Sequence, residues 1–98
     1  MVVIYMEKEI NLKSDEALDY IKNNVKSYDF LEISFSTIFV PGEVLDVESD
    51  GDSLNLLIQL NGELLNDTVE INLMEIKDDL LEIRHIKDDE STLIVVDA

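Results

Sequence analysis

Apolar and polar residues of this chain repeat with a helical period in one early segment and alternate along most of the remainder. The opening "VVIYME" (residues 2–7) alternates and predicts a strand. Ser14 precedes two acids, a pattern typical of a helix N-cap, and predicts a helix over residues 14–27. Its apolar stripe is Ala17, Leu18, Ile21, Val25 and Tyr28. We expect this stripe to pack on the rest of the protein, while the polar side is solvated.

A period of two follows the helix and predicts strands. Residues 30–40 alternate until "PG", which is expected to end the strand. Two further strands are predicted over residues 44–48 and 54–60. The "SDGD" between them is a hairpin turn signal, because its glycine adopts positive φ freely. A second turn, of the Asn-Gly type, is predicted at "LNGE" (residues 60–63).

The chain after the alternating "TVEIN" allows two interpretations. Apolar residues spaced three and four apart, with Asn72 and Glu75 as a capping box, predict a helix over residues 73–86. Alternatively, "EIKDD" (75–79) recurs as "HIKDD" (85–89), each copy followed by a β-rich run. That repeat is typical of turns between the strands of a meander. We favour strands here and keep the helix as the alternative.

Together these patterns predict a single α+β domain over residues 1–98. Its architecture is one N-terminal helix packed on a mainly antiparallel sheet of about five to seven strands, with a small curled barrel as an alternative. A helix followed by short strands around "DGDSLNLLIQL" is similar to the order in Sm-like and other SH3-like barrels. The RNA-binding surfaces of those proteins depend on basic residues, and this chain has one arginine, so we do not infer membership.

The net charge is the unusual feature of the composition. The 98 residues include 23 acids and 7 lysines and arginines, for a net charge of −16, whereas a magnitude of about 2 to 8 is enough to keep a small domain soluble. The apolar content of 46% supports a folded core rather than disorder. The surplus acidity therefore indicates either a solvated surface without a role or a surface that binds a basic partner.

The chain lacks the residues that most catalytic mechanisms require. The chain has no cysteine, and its three glycines are too far apart for a phosphate loop. His85 is the sole histidine, and its neighbours Arg84 and Ile86 suggest an edge or surface position. A calcium loop counted from Asp46 fails at its twelfth position, where Leu57 stands in place of a glutamate. We therefore predict no enzyme, no cofactor and no metal site.

The acids themselves are the candidate binding residues. Alternate residues of a strand share a face about 6.6 Å apart, so one row is predicted on the strand over residues 44–48 and the turn after it. Its members are Asp46, Glu48, Asp50 and Asp52. A neighbouring second row is predicted from the turns at Asp78, Asp79, Asp88, Asp89 and Glu90. Because one DNA strand carries a charge per roughly 3.4 Å, such a row matches every second phosphate.

These observations predict an acidic inhibitor that binds the basic nucleic-acid-binding surface of a partner protein. In composition the chain is similar to phage-encoded DNA mimics, including anti-CRISPR and anti-restriction proteins. Direct binding to nucleic acid is not expected, because the charge of −16 repels phosphates.

Two other classes of function stay open. One is an immunity protein or antitoxin that neutralises a basic nuclease toxin. The other is a structural or adaptor subunit that pairs through an edge strand at "TLIVVDA" (residues 92–98). With no secretory signal and no long apolar run, a cytoplasmic protein without membrane contact is expected.

Overall fold

The computed structural model describes residues 6–61 and 67–97. The elements in chain order are β1 (Met6–Lys13), α1 (Ser14–Asn24), β2 (Phe30–Phe35), β3 (Ile38–Asp50), β4 (Ser53–Leu60), β5 (Thr68–Asn72), α2 (Leu73–Ile76), a 3-10 turn (Lys77–Asp79), β6 (Leu80–Lys87) and β7 (Glu90–Asp97). The predicted strand over residues 2–7 and the "LNGE" turn lie largely outside the described residues.

All described strands form one sheet in the order β1-β7-β6-β2-β3-β4-β5. The sheet is mixed, since β1 and β7 are parallel while the other neighbours are antiparallel. The broad α+β class is confirmed. The curled barrel is not, because β1 and β5 are the two edges of an open sheet. The described residues contain two short helices rather than the one predicted, and the first of them follows β1.

Helix α1 begins at Ser14, so the predicted capping role of this residue is wrong. Lys13 holds the N-cap position, and its backbone amide donates to the Glu16 carboxylate at 3.0 Å. The helix ends at Asn24 because Val25 is already extended. Its buried face contacts β1, β7 and the 3-10 turn, which fixes α1 on one side of the sheet.

Strand β3 runs through Pro41 and Gly42, so the predicted stop at this pair is wrong. Pro41 pairs with Glu32 of β2, and its carbonyl accepts a hydrogen bond from the amide of Asn61 at 3.1 Å, just past the end of β4. The amide and carbonyl of a strand residue point to the same side. An N–H at Pro41 would therefore point past the end of β4. No hydrogen bond of the ladder is lost there, because the ladder has already ended.

Gly42 lies where β4 approaches β3 closely. A Cβ atom at this position would overlap the backbone oxygen of Gln59 and Cγ2 of Ile58. We therefore expect Gly42→Ala to lower the free energy of unfolding by about 1–3 kcal/mol, since the strands must move apart. Urea denaturation measures this, with Ser49→Ala on the exposed end of β3 as the control, for which we expect a change within about 0.5 kcal/mol. Equal stabilities for the two variants would contradict the close approach.

The hairpin prediction at "SDGD" is confirmed, because β3 and β4 are joined by Gly51, with φ of 58°, and Asp52. Residues 72–90 follow the strand interpretation only in part. "HIKDD" does contain a two-residue turn, between β6 and β7. "EIKDD" instead forms the short helix α2 and the 3-10 turn, which cross from β5 to β6 at a distant place in the sheet. Asn72 does cap α2, since its side chain accepts from the Met74 amide at 3.0 Å.

The sheet has two faces of different character. On the inner face, which packs on α1, paired residues such as Ile33, Ile83 and Ile94 are buried together. The core consists of Ala17, Leu18, Ile21, Val25, Leu31, Ile33, Val40, Val44, Leu54, Leu56, Ile58, Ile71, Leu73, Leu80, Ile83 and Ile94. We call the opposite side the outer face. No described helix packs on it, so its side chains are available to a partner.

Candidate binding surface

Strand β3 presents a row of acids on the outer face. Asp46, Glu48 and Asp50 are all exposed and pair with residues on the exposed side of β4. The buried residues of β4 point the other way, into the core. A bulge between Val44 and Asp46 shifts the register. The three carboxylates predicted from alternation therefore do share one face of one strand.

Two further acids extend this row into a patch. Glu43 is exposed on β3 ahead of the bulge, and Glu70 is exposed on β5. Asp46, Leu57 and Glu70 lie side by side on β3, β4 and β5, which places the two carboxylates about 10 Å apart at ordinary strand spacing. Leu57 between them is 37% exposed. We call Glu43, Asp46, Glu48, Asp50 and Glu70 around Leu57 the acidic patch.

The acidic patch has no cation of its own. Strands β3, β4 and β5 contain neither lysine nor arginine, and none of the ion pairs among the described residues includes a patch carboxylate. All seven basic side chains of the sequence lie in the described segments. The patch charge is therefore not neutralised from within the chain.

On the other half of the outer face, one arginine is paired with two of the acids. Arg84 on β6 donates to Glu32 at 2.8 Å, and its Nε lies 3.2 Å from Glu7. Ser91 donates to the same Glu7 carboxylate at 3.1 Å. The hydrogen bond that Arg84 donates to Glu32 raises the pKa of Arg84 above its usual value, and the charge of Glu7 adds to this. This arginine therefore stays charged, and in this structure it is paired with two carboxylates.

The remaining acids predicted for binding do not join the acidic patch. Asp52 lies in the turn after β3 and lines a groove beside α1 with Asp15 and Asp19. Asp78 and Asp79 belong to the 3-10 turn before β6, whereas residues 88–90 follow β6 at its other end. Since β6 has eight residues, these turns lie roughly 25 Å apart. The predicted second row is therefore not formed by them, and Glu70 takes its place.

A buried polar network lies on the inner side of the sheet. His85 on β6 is 5% exposed and Asp29 is 9% exposed, so the predicted surface position of His85 is wrong. The imidazole Nε2 lies 2.8 Å from Asp29 Oδ2, and Nδ1 lies 2.9 Å from the hydroxyl of Tyr20 on α1. Asp29 Oδ2 also accepts from the Lys26 amide at 3.0 Å. The network ties the helix, the loop after it and β6 together.

The proton positions of this network follow from its acceptors. An ionised carboxylate only accepts, so Nε2 of His85 carries the hydrogen that points to Asp29. In the neutral tautomer that carries this hydrogen, Nδ1 accepts from the Tyr20 hydroxyl. The order carboxylate, imidazole and hydroxyl resembles a hydrolase triad. Burial of His85 and Asp29 closes it from substrate, however, and the arrangement serves to hold elements together.

These features define the class: an α+β protein with an open sheet, one face of which is acidic and left uncovered by the described elements. The chain belongs to the family described as "Uncharacterized protein conserved in archaea (DUF2097)", which matches residues 8–95. No curated protein and no solved structure matches it significantly.

Two other features are absent from the described segments. Within residues 6–61 and 67–97, neither helix is long and apolar enough to cross a membrane. In the same ranges, no group of three or more histidine, cysteine, aspartate or glutamate side chains is arranged to hold a metal ion.

Proposed function

We propose that this protein is an inhibitor that docks its acidic patch on the basic, nucleic-acid-binding surface of another protein. The observation that carries the proposal is the set of five exposed acids on β3 and β5, which with β4 between them contain no basic residue. Elsewhere on the outer face, by contrast, Glu7 and Glu32 are paired with Arg84. A partner that supplies cations would relieve the repulsion within the patch.

The spacing of the carboxylates suits a partner surface that binds the phosphates of nucleic acid. Along β3 the acids alternate, so neighbouring carboxylates are about 6.6 Å apart, close to twice the roughly 3.4 Å of helix axis per phosphate of one DNA strand. Leu57 adds an exposed apolar contact inside the ring of charges, as in interfaces with an apolar centre and a polar rim. The partner is therefore a basic protein rather than a nucleic acid.

An immunity protein or antitoxin of a basic nuclease would use the same patch, because its partner has the same chemistry. The edge-strand contact predicted for the adaptor function is not available in this fold. The segment "TLIVVD" lies in β7, which pairs with β1 on one side and β6 on the other, so its backbone is not free for a further strand.

Affinity capture from host lysate tests the proposal. The tagged protein is loaded at low salt and eluted with a salt gradient, and captured proteins are identified with and without competing duplex DNA. We expect a nucleic-acid-binding protein that elutes at moderate salt, because ionic contacts are screened, and that is displaced by DNA. Capture that resists salt, or that DNA does not displace, would contradict a contact at a nucleic-acid site.

A further inference from the structure

Tyr28 combines an unusual backbone with an exposed side chain. Its φ is 77°, a left-handed conformation that disfavours bulky residues. Its side chain is 77% exposed, so no burial of the ring offsets the strain. Glycine or asparagine would fit this backbone with less strain. An exposed aromatic residue held at such a position indicates a role outside the fold.

The loop that carries Tyr28 is fixed on both sides. The Tyr28 amide donates to the Val44 carbonyl at 2.6 Å, and the Val44 amide donates to the Asp29 carbonyl at 2.8 Å. The Asp29 side chain is held in turn by His85 and by the Lys26 amide. The buried network therefore positions the loop, and the loop presents Tyr28 with little freedom to lose on binding.

Tyr28 also lies at the border of the acidic patch. Its backbone partner Val44 comes directly after Glu43 and directly before the bulge that leads to Asp46. An exposed aromatic ring whose backbone is bonded to Val44, one residue from Glu43, suits a guanidinium group, which stacks on a ring face and donates paired hydrogen bonds to a carboxylate. An ammonium group lacks the planar shape that does both.

We propose that Tyr28 is the anchor for an arginine side chain on the basic surface of the partner. This inference rests on the proposed function and specifies it, since the partner must offer arginine, and not only positive charge, opposite the junction of the loop and β3. The preference for arginine over lysine is the property that Tyr28 adds to the acidic patch.

Oligoarginine and oligolysine peptides of equal length are the probes, titrated by calorimetry and by amide chemical shifts near physiological ionic strength. We expect the intact chain to prefer oligoarginine and to shift amides of the acidic patch and of Tyr28. Tyr28→Gly should weaken oligoarginine binding about two- to fivefold and abolish the preference. Tyr28→Phe should retain both, since the ring remains. Phe39→Ala, which removes another exposed aromatic side chain, is the control and should change neither.

The outcomes separate the anchor from the patch. If Tyr28→Gly binds oligoarginine as the intact chain does, while patch amides still shift, Tyr28 is not an anchor and the proposed function stands. If neither peptide shifts patch amides, the Tyr28 anchor and the proposed function both fail. Tyr28→Gly should melt no lower than the intact chain, because glycine adopts this φ freely. A clear drop in its melting temperature would assign Tyr28 a structural role and overturn the proposal.

Discussion

Replacing His85 with alanine is expected to lower the free energy of unfolding by about 3–5 kcal/mol, because it leaves the Asp29 carboxylate buried without its partner. His85 and Asp29 are 5% and 9% exposed, so water reaches neither group well. The Tyr20 hydroxyl also loses its acceptor. Small domains are stable by only about 5–15 kcal/mol, so this one change removes a large share. Urea denaturation followed by circular dichroism measures it.

Arg84→Ala is the matched control, because Arg84 precedes His85 on β6 but lies on the outer face. Its ion pairs with Glu7 and Glu32 are partly exposed, so we expect a loss of about 1 kcal/mol or less. In the double variant Asp29→Ala with His85→Ala, the two losses should be far from additive, since each single change already breaks the same contact. Additive losses, or a His85→Ala variant as stable as Arg84→Ala, would show that the network contributes little.

The position of His85 illustrates what local sequence does not reveal. Alternation along β6 places Ile83 and His85 on the same side, and Ile83 belongs to the core. Arg84, the charged neighbour of His85, nevertheless suggested a surface strand. The partners that make burial tolerable, Asp29 and Tyr20, are 56 and 65 residues away in the sequence. Only the packing of α1 on the sheet brings them together.

The course of β3 shows a second limit. "SDGD" was predicted as a turn because the glycine satisfies a local requirement for positive φ, and the structure confirms it. "PG" carries an equally strong local signal, yet it lies inside β3. Its compatibility with a strand depends on where β4 ends and how closely β4 packs. Those are properties of the neighbouring strand, which short-range patterns do not report.

The acidic patch was likewise predictable only along one strand. Asp46, Glu48 and Asp50 follow from alternation, which is local. Glu43 was missed because the strand was expected to stop at "PG". Glu70 was missed because its place beside Leu57 depends on the order of β3, β4 and β5. The loss of the second predicted row has the same cause, since the turns at both ends of β6 are separated by its full length.

Neutralising the acidic patch is expected to have the largest effect on binding. The variant Glu43→Gln, Asp46→Asn, Glu48→Gln, Glu70→Gln keeps the shape of each side chain and removes four charges from one surface. Exposed ion pairs contribute roughly 0.5–1 kcal/mol each, so affinity for the captured partner should fall about 30- to 1,000-fold at low salt. The dependence of affinity on salt should flatten as well, because fewer contacts remain to be screened.

The matched control removes the same charge elsewhere. Asp78→Asn, Asp79→Asn, Asp88→Asn, Asp89→Asn changes the turns at the two ends of β6, and asparagine tolerates the positive φ at Asp88. If the overall charge of −16 governs association, both variants lose affinity equally. If the patch governs it, the turn variant loses only the modest long-range attraction that four distant charges supply. A turn variant that binds as weakly as the patch variant would therefore assign the acidity to the whole surface, and the segregation of acids on β3 and β5 would have no part in recognition.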